Sequence, residues 1–454
     1  MNPNPPTRNV GRLLLVAFAM LVLTANASAE WKEKVLYSFQ GGSDGYQPAG
    51  GVVFDKEGNL YGATSYNNSC ENLLDCGAVY ELSLRQGAWV ETTLHDFQGY
   101  SHQDGGTPVG GVILDASGNV YGTTAYGGTG SCVLLGTTVG CGTVYELSPP
   151  TQKGGEWTYV LLYNFQGGKD GLFPWGNLVF DKNGNLYGAT QFGGGKGTTC
   201  NQYFDGNCGT VFMLGPPKKK SGKWTEKILH SFAGGTDGAT PDGGLVLDSK
   251  GAIYGTTFGG GKESGECGAG GCGTAFELKP PTTKGGVWPE RVLYRFHGQD
   301  GANPAAGIAF GRNGHLYGTV SAGATGGNGA VFDLSAPTGN GVPWKETVLY
   351  RFRDQNDDSS PAAPLLFDTR GNLYGTASYG GPTGGEVFMM KPPAGKGGAW
   401  KLSVLHGFTG PPDDGLRPVA GLIFGTGATL YGTTQGGGSG SCQGGCGTVF
   451  EVVP

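Results

Sequence analysis

Residues Asp104 to Leu147 read DGGTPVGGVILDASGNVYGTTAYGGTGSCVLLGTTVGCGTVYEL. An apolar run, Val112-Ile113-Leu114, is followed by a tight turn through Gly118 and a strand centred on Tyr121-Gly122. A glycine-rich loop between Cys132 and Cys141 then leads to an alternating strand that ends at Leu147. Short apolar runs bounded by turn residues are the mark of β-strands, and Gly118 suits the left-handed position that tight hairpins need. The unit returns seven times along the chain.

Working outward, a tryptophan opens one further strand in each unit. Trp31, Trp89, Trp157, Trp224, Trp288, Trp344 and Trp400 are spaced 58, 68, 67, 64, 56 and 56 residues apart. Periods of this order belong to propeller blades and similar arrays. Each unit thus holds four strands, the content of one blade: A, the apolar run; B, the Tyr-Gly strand; C, the G-T-V-Y-E-L type; and D, led by Trp. The apolar A strand suits the innermost place and the alternating D strand the outer edge.

The ends of the chain are out of phase. A lone D strand, Trp31 to Phe39, comes first, and A, B and C of the seventh unit come last, ending at Val453 and Pro454. A ring resolves the offset and removes the open strand edges of a linear array. The fold expected is all-β, a seven-bladed β-propeller with four strands per blade, closed by the N-terminal outer strand joining the C-terminal blade. The D–A and B–C loops should then share one face around the central channel.

Residues 1–29 lie outside that fold. Arg8 and Arg12 precede the apolar run Leu13 to Leu23, and Ala27-Ser28-Ala29 supplies small residues for cleavage, the pattern of a signal peptide. Residues 30–454 form a single propeller domain, expected to be secreted or periplasmic. Losing Arg8 and Arg12 with the leader takes the formal charge from −6 to −8. That balance gives no nucleic-acid footprint and no polybasic membrane contact. No membrane insertion is expected after cleavage, and the protein is expected to be a monomer. Glycine supplies 91 residues without a triplet period, which excludes collagen.

The ten cysteines fall in five pairs, each in a B–C loop: Cys70/Cys76, Cys132/Cys141, Cys200/Cys208, Cys267/Cys272 and Cys442/Cys446. Units five and six lack both members. Cysteines that come and go in twos are partners, and export makes disulfides the expectation. The intervening residues number five, eight, seven, four and three, whereas a metal site would hold its spacing. No metal and no cofactor are expected.

The G-N-L-Y-G-T-T, glycine loop, G-T-V-F-E-L pattern resembles the GloVer tandem repeats of exported bacterial proteins, over essentially all of the chain after the leader. The resemblance implies a propeller-like exported repeat protein and brings no catalytic residues with it.

Every D–A loop carries an Asp four residues before a Pro, from Asp44/Pro48 to Asp414/Pro418. Seven equal copies point to turn capping, and the repeated Tyr and Trp to blade packing. His95, His230 and His406 replace Tyr37 in the D strand and are expected to pack as it does. Function is better sought where the copies differ. The residue after the loop Pro is Ala49, Val109, Trp175, Asp242, Ala305, Ala362 and Val419. Trp175 and Asp242 break a small apolar rule in adjacent blades. With Phe173, Tyr203, Asp205, Glu263 and Glu266 they make a candidate ligand site, an aromatic face beside carboxylates, as a sugar requires. Tyr66, Tyr126, Phe192, Phe258 and Tyr379 recur early in the B–C loops as a candidate stacking platform.

The preferred function is an exported, non-enzymatic binding propeller that recognises a glycan or other extracellular polymer through the D–A/B–C face. One alternative is a polysaccharide hydrolase or lyase using Asp242, Asp205, Glu263 or Glu266 as acid/base. Another is a scaffold for a protein partner.

Overall fold

The computed structural model describes residues 31–67, 76–134, 136–152, 154–195, 200, 208–219, 222–261, 267–337, 339, 342–353, 358–380, 384–395 and 397–454. Among these, seven four-stranded antiparallel sheets each run in the order A-B-C-D, and they are the blades of a propeller. In blade one the strands are Val53–Phe54, Leu60–Thr64, Ala78–Arg85 and Ala88–Asp96. The seventh blade takes its D strand from the other end of the chain. Lys32–Ser38 pairs with Thr448–Val453, with Val35 opposite Phe450 and Tyr37 opposite Val449. The ring is closed by the first strand and the last, as the offset termini require.

The repeated aromatics hold blade to blade. Tyr61 on the B strand of blade one meets Trp157 on the D strand of blade two, with ring centroids 6.0 Å apart. Trp31 meets Tyr374 in the same way at 6.4 Å, across the junction of blades six and seven. On the other side, Tyr374 takes the A-strand Phe424 of the following blade at 5.3 Å, as Tyr431 takes Phe54 at 5.0 Å. Edge-on pairs of this kind contribute about 1 kcal/mol each beyond their buried area. The Phe of each D strand sits deepest: Phe39, Phe97, Phe165, Phe232 and Phe296 are fully buried.

The turn between A and B is an aspartate cap. Asp55 Oδ1 accepts the N–H groups of Glu57 and Asn59 at 2.9 and 2.8 Å, while Oδ2 accepts the Asn59 amide and the Tyr61 hydroxyl. Asp115, Asp181 and Asp368 repeat the arrangement.

At the other end of the blades, the D–A and B–C loops pair with each other. Gly105 and Gly106 pair with Gly127 and Tyr126, and Gly415 and Leu416 with Gly437 and Gly436. These loops therefore occupy one face. They are also passed from blade to blade. The residue before the loop Pro adopts a left-handed backbone in every copy, for example Thr107 at φ 54° and Arg417 at φ 62°. This turns its N–H onto the carbonyl that ends the preceding B–C loop: Phe173 onto Cys141 at 2.9 Å, Thr240 onto Cys208 at 2.8 Å and Asn303 onto Cys272 at 2.9 Å. Non-glycine residues held left-handed cost on the order of 1 kcal/mol or more, and persist only where surrounding bonds over-determine them.

Four disulfides close these loops: Cys132–Cys141, Cys200–Cys208, Cys267–Cys272 and Cys442–Cys446. Cys76 is disulfide-bonded too; Cys70, its expected partner, lies outside the described residues. Where units five and six lack cysteines, Asn328 and Gly384 supply the accepting carbonyl, to Ser360 and Arg417. The disulfide therefore reinforces a handover that the backbone makes in any case.

Candidate functional site

The residue after each loop Pro leads into an A strand, and these seven segments surround the axis. Ala49, Val109, Trp175, Asp242, Ala305, Ala362 and Val419 consequently line one axial cavity of about 400 Å³. Glycine allows the strands to crowd there. A Cβ on Gly110 would lie 2.4 Å from the Gly176 carbonyl oxygen, and one on Gly50 2.4 Å from the Gly111 nitrogen.

Blade three departs from the others at this point. Its A strand runs unbroken from Leu172 to Phe180, with Pro174 and Trp175 paired to Thr190 and Ala189. The Trp175 ring faces the cavity and, unlike Trp157 or Trp224, has no aromatic partner among the described residues. Phe173, although adjacent in sequence, is only 2% exposed. It packs edge-on against Tyr126 at 5.0 Å and Phe192 at 6.2 Å. Its place is beneath the loop, supporting it, while Trp175 lines the axial cavity.

Asp242, from blade four, reaches the same cavity. Its Oδ1 accepts a hydrogen bond from Gln191 Nε2 of blade three at 2.9 Å. No Lys, Arg or His lines the cavity among the described residues. Withdrawal from water pushes the Asp242 carboxyl up to about 7, against a smaller lowering by Gln191. Two more polar groups join it. Asn177 stands where blades one, two, four, five and seven have Gly, and its Oδ1 accepts the Gly111 N–H at 2.6 Å. Gln435 faces the cavity from blade seven. Sequence reasoning passed over Gln191, Asn177 and Gln435. Gln191 occupies the position of Ser65, Ala125, Ser321 and Ser378, so comparing the repeats column by column would have found it.

Of the other expected site residues, Tyr203, Asp205, Glu263 and Glu266 lie outside the described residues. Among the five aromatics expected as one platform, Tyr66 stacks on Tyr46 at 5.5 Å, and Tyr126 and Phe192 enclose Phe173. Tyr379 lies under the Arg417 guanidinium, 4.6 Å from its carbon. Phe258 belongs one position earlier than the rest. Its N–H bonds to the Thr240 carbonyl, as those of Ser65 and Ala125 bond to Gln47 and Thr107.

The D–A loop aspartates behave quite differently from Asp242. Asp44 accepts the Gln40 and Gly42 N–H groups at 2.7 and 3.0 Å and the Tyr37 hydroxyl at 3.1 Å. Asp104 accepts the Gln98 and Gly105 N–H groups and pairs with His95 Nε2 at 3.1 Å. His95 and His406 thus do more than pack as Tyr37 does; they take over its hydrogen bond, while His230 Nε2 lies 3.4 Å from an Asp237 carboxylate oxygen. Asp357, of the sixth loop, lies outside the described residues. Glu33, His406 and Asp414 bring ligand atoms within 4.8 Å of one another. The same seat holds Tyr37, Tyr163 or Tyr294 in other seams, so the grouping is the ordinary blade junction with His in place of Tyr.

A closed ring of seven four-stranded blades around a lined axial cavity defines the molecule as a β-propeller with its variable residues on the axis. The profile of the Gloeobacter/Verrucomicrobia repeat matches residues 23–265 and 196–450, and the chain belongs to that family. Solved structures with similar architecture include Sqt1 from Chaetomium thermophilum, at 11% identity over 88% of this chain and 85% of that one, with TM-score 0.47. A carbohydrate-active enzyme of family AA12 from Trichoderma reesei matches at 12% identity, 94% and 96% coverage and TM-score 0.42. The PQQ domain of pyranose dehydrogenase from Coprinopsis cinerea matches at 11% identity, 94% and 97% coverage and TM-score 0.41. No curated protein sequence matches the chain.

Proposed function

We propose that the protein is exported and binds a neutral glycan at its axial cavity. One observation carries the reading: the two departures from the small-residue ring, Trp175 and Asp242, meet in the same cavity. Sugars present flat C–H faces and a rim of hydroxyls. Trp175 supplies a ring with no aromatic partner among the described residues, and Asp242, Asn177 and Gln435 supply hydrogen-bonding groups around the same cavity. The volume of about 400 Å³ suits a small ligand or the terminal units of a longer one. A lining without basic side chains favours neutral sugars over uronates or sulfated chains. The signal-like leader and the four disulfides support export, since such bonds persist in oxidising compartments. No helix among the described residues is long and apolar enough to cross a membrane.

A carbohydrate array probed with wild type and Trp175→Ala tests this. Binding by the wild type and at least about tenfold weaker binding by the variant is expected, the loss typical of removing a central aromatic contact. A blank array for the wild type overturns the reading and favours a protein partner on this face.

An enzymatic reading draws on Asp242, whose carboxyl near 7 suits a general acid or base. Ordinary glycoside hydrolysis uses two carboxyls flanking the bond, and the described lining holds one. Reducing-end release by the wild type, abolished in Asp242→Asn, would replace binding with hydrolysis.

A further inference from the structure

We propose a second sugar subsite, at Phe258, which extends the axial site outward across blade four; it rests on the glycan reading of that site. Six repeats place Ser65, Ala125, Gln191, Ser321, Ser378 and Gln435 at this position. Only blade four places an aromatic there, and Phe258 is 36% exposed. It lines a separate cavity of about 310 Å³ together with Thr240, Asn303 and the Cys267–Cys272 loop.

The position ties this cavity to the axis. The Phe258 N–H bonds to the Thr240 carbonyl at 2.9 Å, and Thr240 stands two residues before Asp242. One short segment therefore carries the axial carboxyl and the wall of the outer cavity. The polar groups around Phe258 are also available. Asn303 uses Nδ2 on the Phe258 carbonyl at 3.1 Å, and its Oδ1 and the Thr240 hydroxyl have no hydrogen-bond partner among the described residues. An accessible ring flanked by an acceptor and a hydroxyl that are unpartnered among the described residues repeats the chemistry of Trp175 with Asp242. A neutral chain whose end occupies the axial cavity would lay a later unit over Phe258, so affinity should grow with chain length.

The test is calorimetric titration of wild type, Trp175→Ala, Phe258→Ala and Phe258→Tyr with cello-, xylo- and manno-oligosaccharides, from disaccharides to hexasaccharides. Phe258→Ala is expected to bind disaccharides as the wild type does, yet to lose about tenfold on the hexasaccharide. Phe258→Tyr should restore the gain with length, because the ring face is kept. Trp175→Ala should weaken binding at every length. A length dependence unchanged in Phe258→Ala overturns the subsite and leaves the axial reading standing. Loss of disaccharide binding in Phe258→Ala equal to that in Trp175→Ala also overturns it, since the two positions would then form one site. Absence of binding by the wild type at any length overturns the axial reading and the subsite with it.

Discussion

Two sets of aspartates occupy the loop face, one at the seams between blades and one residue on the axis. Asp104 stands for the seams. Burial pushes its carboxyl up, but His95 and the N–H groups of Gln98 and Gly105 more than offset this and hold it below the usual range. Asp242 has a single amide donor, Gln191, and rises to about 7. The seam aspartate is bonded by the repeat's own backbone, whereas the second oxygen of the axial one has no hydrogen-bond partner among the described residues. Among the described residues, what recurs from copy to copy is bonded inward at the seams of the ring. What occurs once is left facing a cavity.

The sharpest way to break this comparison is to disturb the crowding at the axis. Gly110→Val should cost about 3 kcal/mol or more, because even its Cβ meets the neighbouring backbone at 2.4 Å; thermal melting checks it. Next, Asp104→Ala should cost about 2 kcal/mol by leaving two N–H groups and His95 without their acceptor. A denaturation midpoint unchanged by Asp104→Ala would end the capping account of the seam aspartates.

Asp242→Asn should act in the opposite direction. The folded carboxyl titrates near 7, above its unfolded value, so the wild type loses stability as pH rises between those two values. The variant should match wild type near pH 4 and gain on the order of 1–2 kcal/mol at pH 8, because Asn keeps the Gln191 bond without the charge.

A smaller effect of the same sign is expected at a seam. Burial, then the nearby Asp300 carboxylate, pushes Glu346 up to about 8, partly relieved by Arg351 and raised further by Asp333. Its Oε1 is buried without a hydrogen-bond partner among the described residues. Glu346→Gln should gain about 1 kcal/mol at pH 9 and nothing near pH 4, the figure being reduced for partial solvent screening. Ala305→Ser, on the small side of the axial ring, should change stability by less than about 0.5 kcal/mol.

Much of this architecture is legible in one dimension. The Trp pitch and the Tyr-Gly strands specify the blades, because pairing within a blade and its turns depend on neighbours in sequence, and the out-of-phase ends imply the closure that pairs Lys32–Ser38 with Thr448–Val453. Four of the cysteine pairs are disulfides for the same reason, their members being at most nine residues apart. Trp175 and Asp242 stand out as breaks in a repeated column. Phe173 adjoins Trp175 in sequence, but its left-handed backbone turns it under the loop instead.

By itself, then, the sequence determined the ring, its seven units and the two residues that depart from them, since periodicity and turn chemistry act locally. Only the tertiary structure decided that those residues share a cavity and that Gln191 reaches Asp242 across a blade boundary. Those relations arise from wrapping equivalent positions around an axis, which brings together side chains more than fifty residues apart.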